Sequence, residues 1–247
     1  MSNLSPGARG CVAVFLVVLS LPLVAILIGA ITSRRGPHPP WQRMGTEISQ
    51  ICDAIEAYRE KFGEYPPDGT DPQAVRRHLA IAFPSYKGEL PPKYANLDPA
   101  TSLVFWLGGC TDHKGGLIGF SSNRSNPFED DRSSRIPPFY DFDYARLRSE
   151  NGMLAYLPRN GKSDSDPHVY FRPDSNGQYR GAWKQCRPCR DTRSGGWMAP
   201  KTYQLFCPGW DGRYGSGVQY PTGEDYDKDR YDDIANFSSR DLEGDMP

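Results

Sequence analysis

The stretch WQRMGTEISQICDAIEAYREKFGEYPP, residues 41–67, decides how the rest of the chain is read. Trp41, Met44, Ile48, Ile51, Ile55, Tyr58 and Phe62 follow one another at intervals of 3, 4, 3, 4, 3 and 4 residues. That spacing puts all of them on one face of a helix. Glu47, Gln50, Glu56, Arg59 and Glu60 fall off the stripe and are expected to face solvent. Gly63 ends the helix, and Tyr65-Pro66-Pro67-Asp68-Gly69 forbids its continuation. The pattern is too short for a coiled-coil seam, so the stripe is expected to pack on its own domain.

Toward the N-terminus, Cys11 to Thr32 is a run of 22 uncharged, mostly apolar residues. At ~1.5 Å per residue it is long enough to cross a ~30 Å hydrocarbon core. A cleaved secretory signal usually has a shorter apolar core, and the basic start here is thin, with Arg9 alone. The expected layout is a flank over 1–10, a transmembrane helix over 11–32, a Pro-rich neck over 33–40 and one domain over 41–247. Arg34, Arg35 and Arg43 flank the far side of the run, which by the positive-inside bias favours a cytoplasmic domain. Large domains translocate largely regardless of that bias. The five cysteines beyond the run, with few Lys and many Tyr, Trp, Asn, Gly and Pro, favour an extracytoplasmic one. The net charge of −1 and the lack of a basic stripe argue against nucleic acid as a partner. Membrane lipid is the expected one.

Beyond residue 70, Asp71-Pro72 caps a helix through Ala82, and Asp98-Pro99 caps a short apolar one over 100–107 that Gly108-Gly109 stops. Strand patterns follow over 153–157, 168–172 and 203–206. With 25 Gly and 23 Pro the chain carries many turns. The fold class is therefore α+β: an amphipathic helix on a small antiparallel sheet, with loop-rich elaborations between 70 and 200.

The order of an apolar span, an amphipathic helix and Tyr58-Arg-Glu-Lys-Phe-Gly63-Glu-Tyr65-Pro66 resembles the major pseudopilin of type II secretion systems. Phe206-Cys-Pro-Gly-Trp-Asp211-Gly212-Arg-Tyr-Gly215 is similar to that family's strand and Gly-x-Asp-Gly turn. Asp232-Asp233-Ile234-Ala-Asn236-Phe237 is similar to its C-terminal ending. The resemblance implies a pseudopilin-like fold and a structural or accessory role in a bacterial secretion or pilus-like envelope assembly. It also implies a single-pass inner-membrane location with the domain in the periplasm or outside the cell, and secretion-system subunits as partners. In the family, a Gly and an apolar residue mark the prepilin-peptidase site, with a Glu further on. Gly10-Cys11 could mimic that site here, but Phe15 stands where the Glu belongs. The alternative role is a stand-alone anchored surface or periplasmic binding protein that keeps the fold without polymerising.

No nucleophile elbow, P-loop, dinucleotide fingerprint or His-Glu-x-x-His occurs, so the chain is not read as an enzyme. Its histidines, His38, His78, His113 and His168, are scattered. Asp225, Asp227 and Asp229 alternate as in a calcium loop, and Asp232 and Asp233 follow. Calcium takes six to eight oxygen ligands on adaptable backbone. The resemblance implies a C-terminal calcium site, with Asp232 and Asp233 at the matching positions and Asp211 as a further candidate. The other reading is a solvated charge run. Cys186-x-x-Cys189, with Cys110 and Cys207, could form two disulfides, hold a zinc ion or remain free thiols. Cys52 is the odd thiol on the helix.

Overall fold

The structure, a computed structural model, describes residues 40–129, 134–159 and 161–247. The apolar run over 11–32 lies outside the described residues. Among those described, no helix is long and apolar enough to cross a membrane. The compact unit runs from Pro40 to Pro247.

Helix α1 spans Pro40–Phe62. Met44, Ile48, Ile51, Ile55, Tyr58 and Phe62 are all buried, and Trp41 packs part-buried against the same core. Each buried Ile, Met or Phe contributes about 1.5–3 kcal/mol by leaving water. Gly63 takes the left-handed conformation (φ 87°) that stops the helix, its N–H reaching the Arg59 carbonyl at 2.7 Å. One expectation fails on this helix. Glu47, assigned to the solvent face, is only 4% exposed and sits in an ion-pair network.

Helix α2 spans Pro72–Ala82. The Asp71 side chain caps it by accepting from the Gln73 N–H at 2.8 Å, with Pro72 at the first helical position. Val75, His78 and Leu79 turn inward. Helix α3, Ser102–Gly108, is buried along its whole length. Asp98 Oδ1 accepts from the Ala100 and Thr101 N–H groups before it, and the Trp106 indole donates to the Pro67 carbonyl at 2.9 Å. That bond ties α3 to the turn that follows α1.

Three short ladders surround these helices. β1 (Phe120–Ser121) pairs with β2 (Arg135–Ile136), and β3 (Leu147–Glu150) with β4 (Met153–Tyr156), both antiparallel. Asn151 and Gly152, both at positive φ, make the two-residue turn between β3 and β4. β6 (Arg190–Asp191) runs parallel to β8 (Gln219–Tyr220).

The central sheet is antiparallel, in the order β5 (Val169–Phe171), β7 (Gln204–Cys207), β9 (Ile234–Ala235). Its alternation separates two cores. Tyr170, Leu205, Cys207 and Ile234 face the cluster that holds the α1 stripe, Val75, Leu79 and α3. Val169, Phe171, Phe206 and Ala235 face a second cluster with Trp183, Cys186, Cys189, Tyr214 and Leu242. A strand covered on both faces has no solvent-facing positions, so every β7 residue is buried, Gln204 with its amide bonded to Cys189 and Met198. The helix-on-sheet layer is as expected. The second core, built from irregular chain on the far face, is not.

Candidate functional site

The C-terminal segment 224–233 lies against the turns of 208–220. Glycine makes this approach possible. A Cβ on Gly209 would stand 2.0 Å from the Asp232 carbonyl oxygen, and one on Gly215 would stand 2.1 Å from Asp227 Oδ1. The carboxylates then take up the backbone donors that the turns expose. Asp232 Oδ2 accepts from the Trp210 N–H and, at 3.1 Å, from the Asp211 N–H. Asp227 Oδ2 accepts from the Ser216 N–H and hydroxyl, both at 2.8 Å. Asp225 accepts from the Val218 and Gln219 N–H groups, each at 2.9 Å. Asp233 is fully buried and bonded to Arg230 at 3.1 Å.

The six candidate metal ligands therefore divide. Asp225, Asp227 and Asp232 pin backbone, and Asp233 neutralises a buried guanidinium. Asp211, Asp229 and Asp232 stay mutually close enough to repel. The carboxyl of Asp211 is pushed up by burial and then by Asp232 and Asp229; that of Asp232 is pushed up by burial, with Asp229 adding to it. Among the described residues no group of three or more His, Cys, Asp or Glu is assembled to hold a metal ion. Asp211 Oδ1 accepts from the Arg213 N–H at 2.7 Å.

The four cysteines do not converge either. Cys110 and Cys207 belong to the core on the α1 side of the sheet, Cys186 and Cys189 to the opposite one. A four-cysteine zinc site would require all of them on one side. All five described cysteines are free thiols. Burial raises the Cys186, Cys189 and Cys207 thiols, which keeps them neutral.

Arg230 holds the far-face core together. It is fully buried, and its Nη2 contacts Cys189 Sγ at 3.2 Å and the Arg187 carbonyl at 2.9 Å. Its Nη1 reaches Cys186 Sγ at 3.6 Å, and the guanidinium lies 4.8 Å from the Phe206 ring centroid. In the sequence Arg230 read as part of a charge run; its only signal was the i, i+3 spacing to Asp233.

Two of the histidines are buried and bonded within the fold, to partners that the sequence does not name. His78 is 1% exposed; its Nε2 meets the Tyr58 hydroxyl and its Nδ1 meets Glu64 Oε1, both at 2.7 Å. Burial lowers its pKa, and the surviving proton arrangement is Tyr58 O–H to Nε2 and Nδ1–H to Glu64. His168 is fully buried with Nε2 3.5 Å from Glu47 Oε2, and burial depresses it to about 4. Both are neutral structural imidazoles at pH 7.

No protein-family model, curated protein or solved structure matches the chain.

Proposed function

We propose that this chain is a membrane-anchored, pseudopilin-like structural or accessory subunit of a bacterial secretion or pilus-like envelope assembly. One observation carries the reading. The separate blocks that resemble major pseudopilins are bonded to one another on the sheet that α1 covers. Asp232 accepts from the backbone of Trp210 and Asp211, and Asn236 exchanges bonds with Leu205 of β7, its N–H to the carbonyl at 3.0 Å and its Oδ1 to the N–H at 2.9 Å. A Gly-x-Asp-Gly turn and an Asp-Asp-Ile-x-Asn ending thus form one unit that closes β9 onto β7. Cys11 to Thr32 would supply the anchor, with the domain outside the cytoplasm.

Calcium belongs to the same reading. A divalent hard cation would relieve the repulsion among Asp211, Asp229 and Asp232 and lock the ending to the turn.

A second reading, a stand-alone anchored binding protein, is favoured by Phe15, which replaces the Glu that pseudopilins carry in the span. Photo-crosslinking from the exposed Glu60 in the native envelope separates the two. Adducts to other pseudopilin-like subunits, with a secretion defect on deletion, support the assembly role. An uncrosslinked chain and unimpaired secretion support the second reading.

A further inference from the structure

A cleft of about 550 Å3 opens beside the end of α1, between the 64–71 turn, the first turns of α2 and the 172–180 loop. Its wall carries Arg77, Arg172 and Arg180, the part-buried ring of Tyr65, and His78. It also carries Glu64, Asp68, Asp71 and Asp174, so charge counting alone does not decide what it would hold.

Hydrogen-bond accounting does. Every one of those carboxylates already serves the protein. Glu64 takes the His78 imidazole, and Asp71 caps α2. Asp68 Oδ1 accepts from the Thr70 N–H and hydroxyl, and its Oδ2 from the Arg172 N–H at 3.0 Å. Asp174 Oδ1 accepts from the Asn176 and Gln178 N–H groups, and its Oδ2 from Arg180 at 3.1 Å. The cations are not equally used. Among the described residues Arg77 makes no ion pair within 4.0 Å and acts on Glu64 only through space, as Arg172 does, and Arg172 Nη1 is buried with no hydrogen-bond partner. The Arg172 guanidinium is held 5.0 Å from the Tyr65 ring centroid, which fixes its plane.

We infer that this cleft is a binding site for a small ligand bearing an oxyanion, carboxylate or phosphate, received by Arg172 and Arg77 with Tyr65 as its apolar wall. Arg172 offers the planar donor fork that such groups accept. Binding here needs neither the anchor nor an assembly partner, so it stands or fails apart from the assembly role.

Isothermal titration of the full chain in detergent, with succinate and with inorganic phosphate, tests it. Saturable binding of at least one probe is expected at about 1 mM or tighter, the range open to a small polar ligand. Succinate alone identifies a carboxylate site, phosphate alone a phosphate site, and both an unselective oxyanion site. Arg77→Gln, at an exposed position, and Arg172→Gln should each weaken binding about tenfold, since each removes a charge-assisted bond. Arg193→Gln, outside the cleft, should leave it unchanged. If Arg172→Gln fails to fold, Arg77→Gln decides alone. No saturable heat with either probe, or equal affinity in wild type and Arg77→Gln, overturns the site.

Discussion

Glu47 and Arg146 stand 99 positions apart in the sequence and meet in a two-point ion pair. Glu47 is 4% exposed, and the Arg146 guanidinium lies 4.2 Å from the Tyr156 ring centroid. The Tyr156 hydroxyl and His168 Nε2 each approach Glu47 at 3.5 Å. One carboxylate thus ties α1 to the 3-10 turn before β3 and to β4.

Removing one partner leaves the other charge buried and unpaired. Arg146→Met is expected to cost about 3–5 kcal/mol in urea unfolding, the range for a broken buried pair. Adding Glu47→Leu should recover much of that loss, because the pair then becomes apolar. A loss below about 1 kcal/mol would assign the pair the worth of a surface contact.

His168 makes stability depend on pH in a stated direction. Its folded pKa of about 4 lies below the ordinary 6.5 because burial disfavours the charged ring, with Glu47 opposing and Arg146 reinforcing the shift. Between those values the unfolded chain takes up a proton that the folded one refuses. The neutral ring's contribution is therefore full above pH 6.5 and is lost as pH falls toward 4. The stability gap between wild type and His168→Asn should shrink by about 3 kcal/mol between pH 7 and pH 4. A gap that does not shrink between pH 7 and pH 4 would mean that the fold does not lower the His168 pKa.

Thiol labelling reads the two cores. Of the described cysteines Cys52 alone is part-exposed, though burial raises it to about 11. A maleimide should label it slowly in the native chain, and Cys110, Cys186, Cys189 and Cys207 only on unfolding. Arg230→Met should expose Cys186 and Cys189 first, since it removes the strut between them. Labelling of Cys110 and Cys207 at the same rate in that variant would mean that the two cores open together.

Calcium should raise the melting temperature of the full chain. A ligand at ~100 Kd that binds only the folded state contributes about 2.7 kcal/mol. Asp232→Ala should abolish the rise, and Asp225→Ala should leave it, because Asp225 holds the Val218 and Gln219 N–H groups instead. An unchanged melting curve in the wild type would make Asp211, Asp229 and Asp232 a solvated acidic turn.

The parts of the fold legible in the sequence are those set by local rules. The α1 stripe follows from 3.6-residue periodicity, and α2 from its Asp-Pro cap. The β4, β5 and β7 strands follow from short apolar runs. Glu47 was misplaced because periodicity sorts by polarity, while its partner Arg146 sits in a distant turn. Arg230 was hidden for the same reason, a charge among charges whose burial depends on a second core made of irregular chain. The alternating aspartates suggested a metal loop. Four of them, Asp225, Asp227, Asp232 and Asp233, satisfy backbone donors or a guanidinium, a use that leaves the same sequence pattern. The cleft was invisible because its wall comes from three separated segments.

The proposed role requires that the domain lie outside the cytoplasm and stay tethered to the membrane. Proteinase treatment of intact spheroplasts, followed by mass analysis of the membrane fraction, measures both. The expected result is digestion of residues 40–247 from outside, with a membrane-retained peptide containing Cys11 to Thr32. Protection of the domain until lysis, or a soluble chain beginning near residue 33, would contradict it.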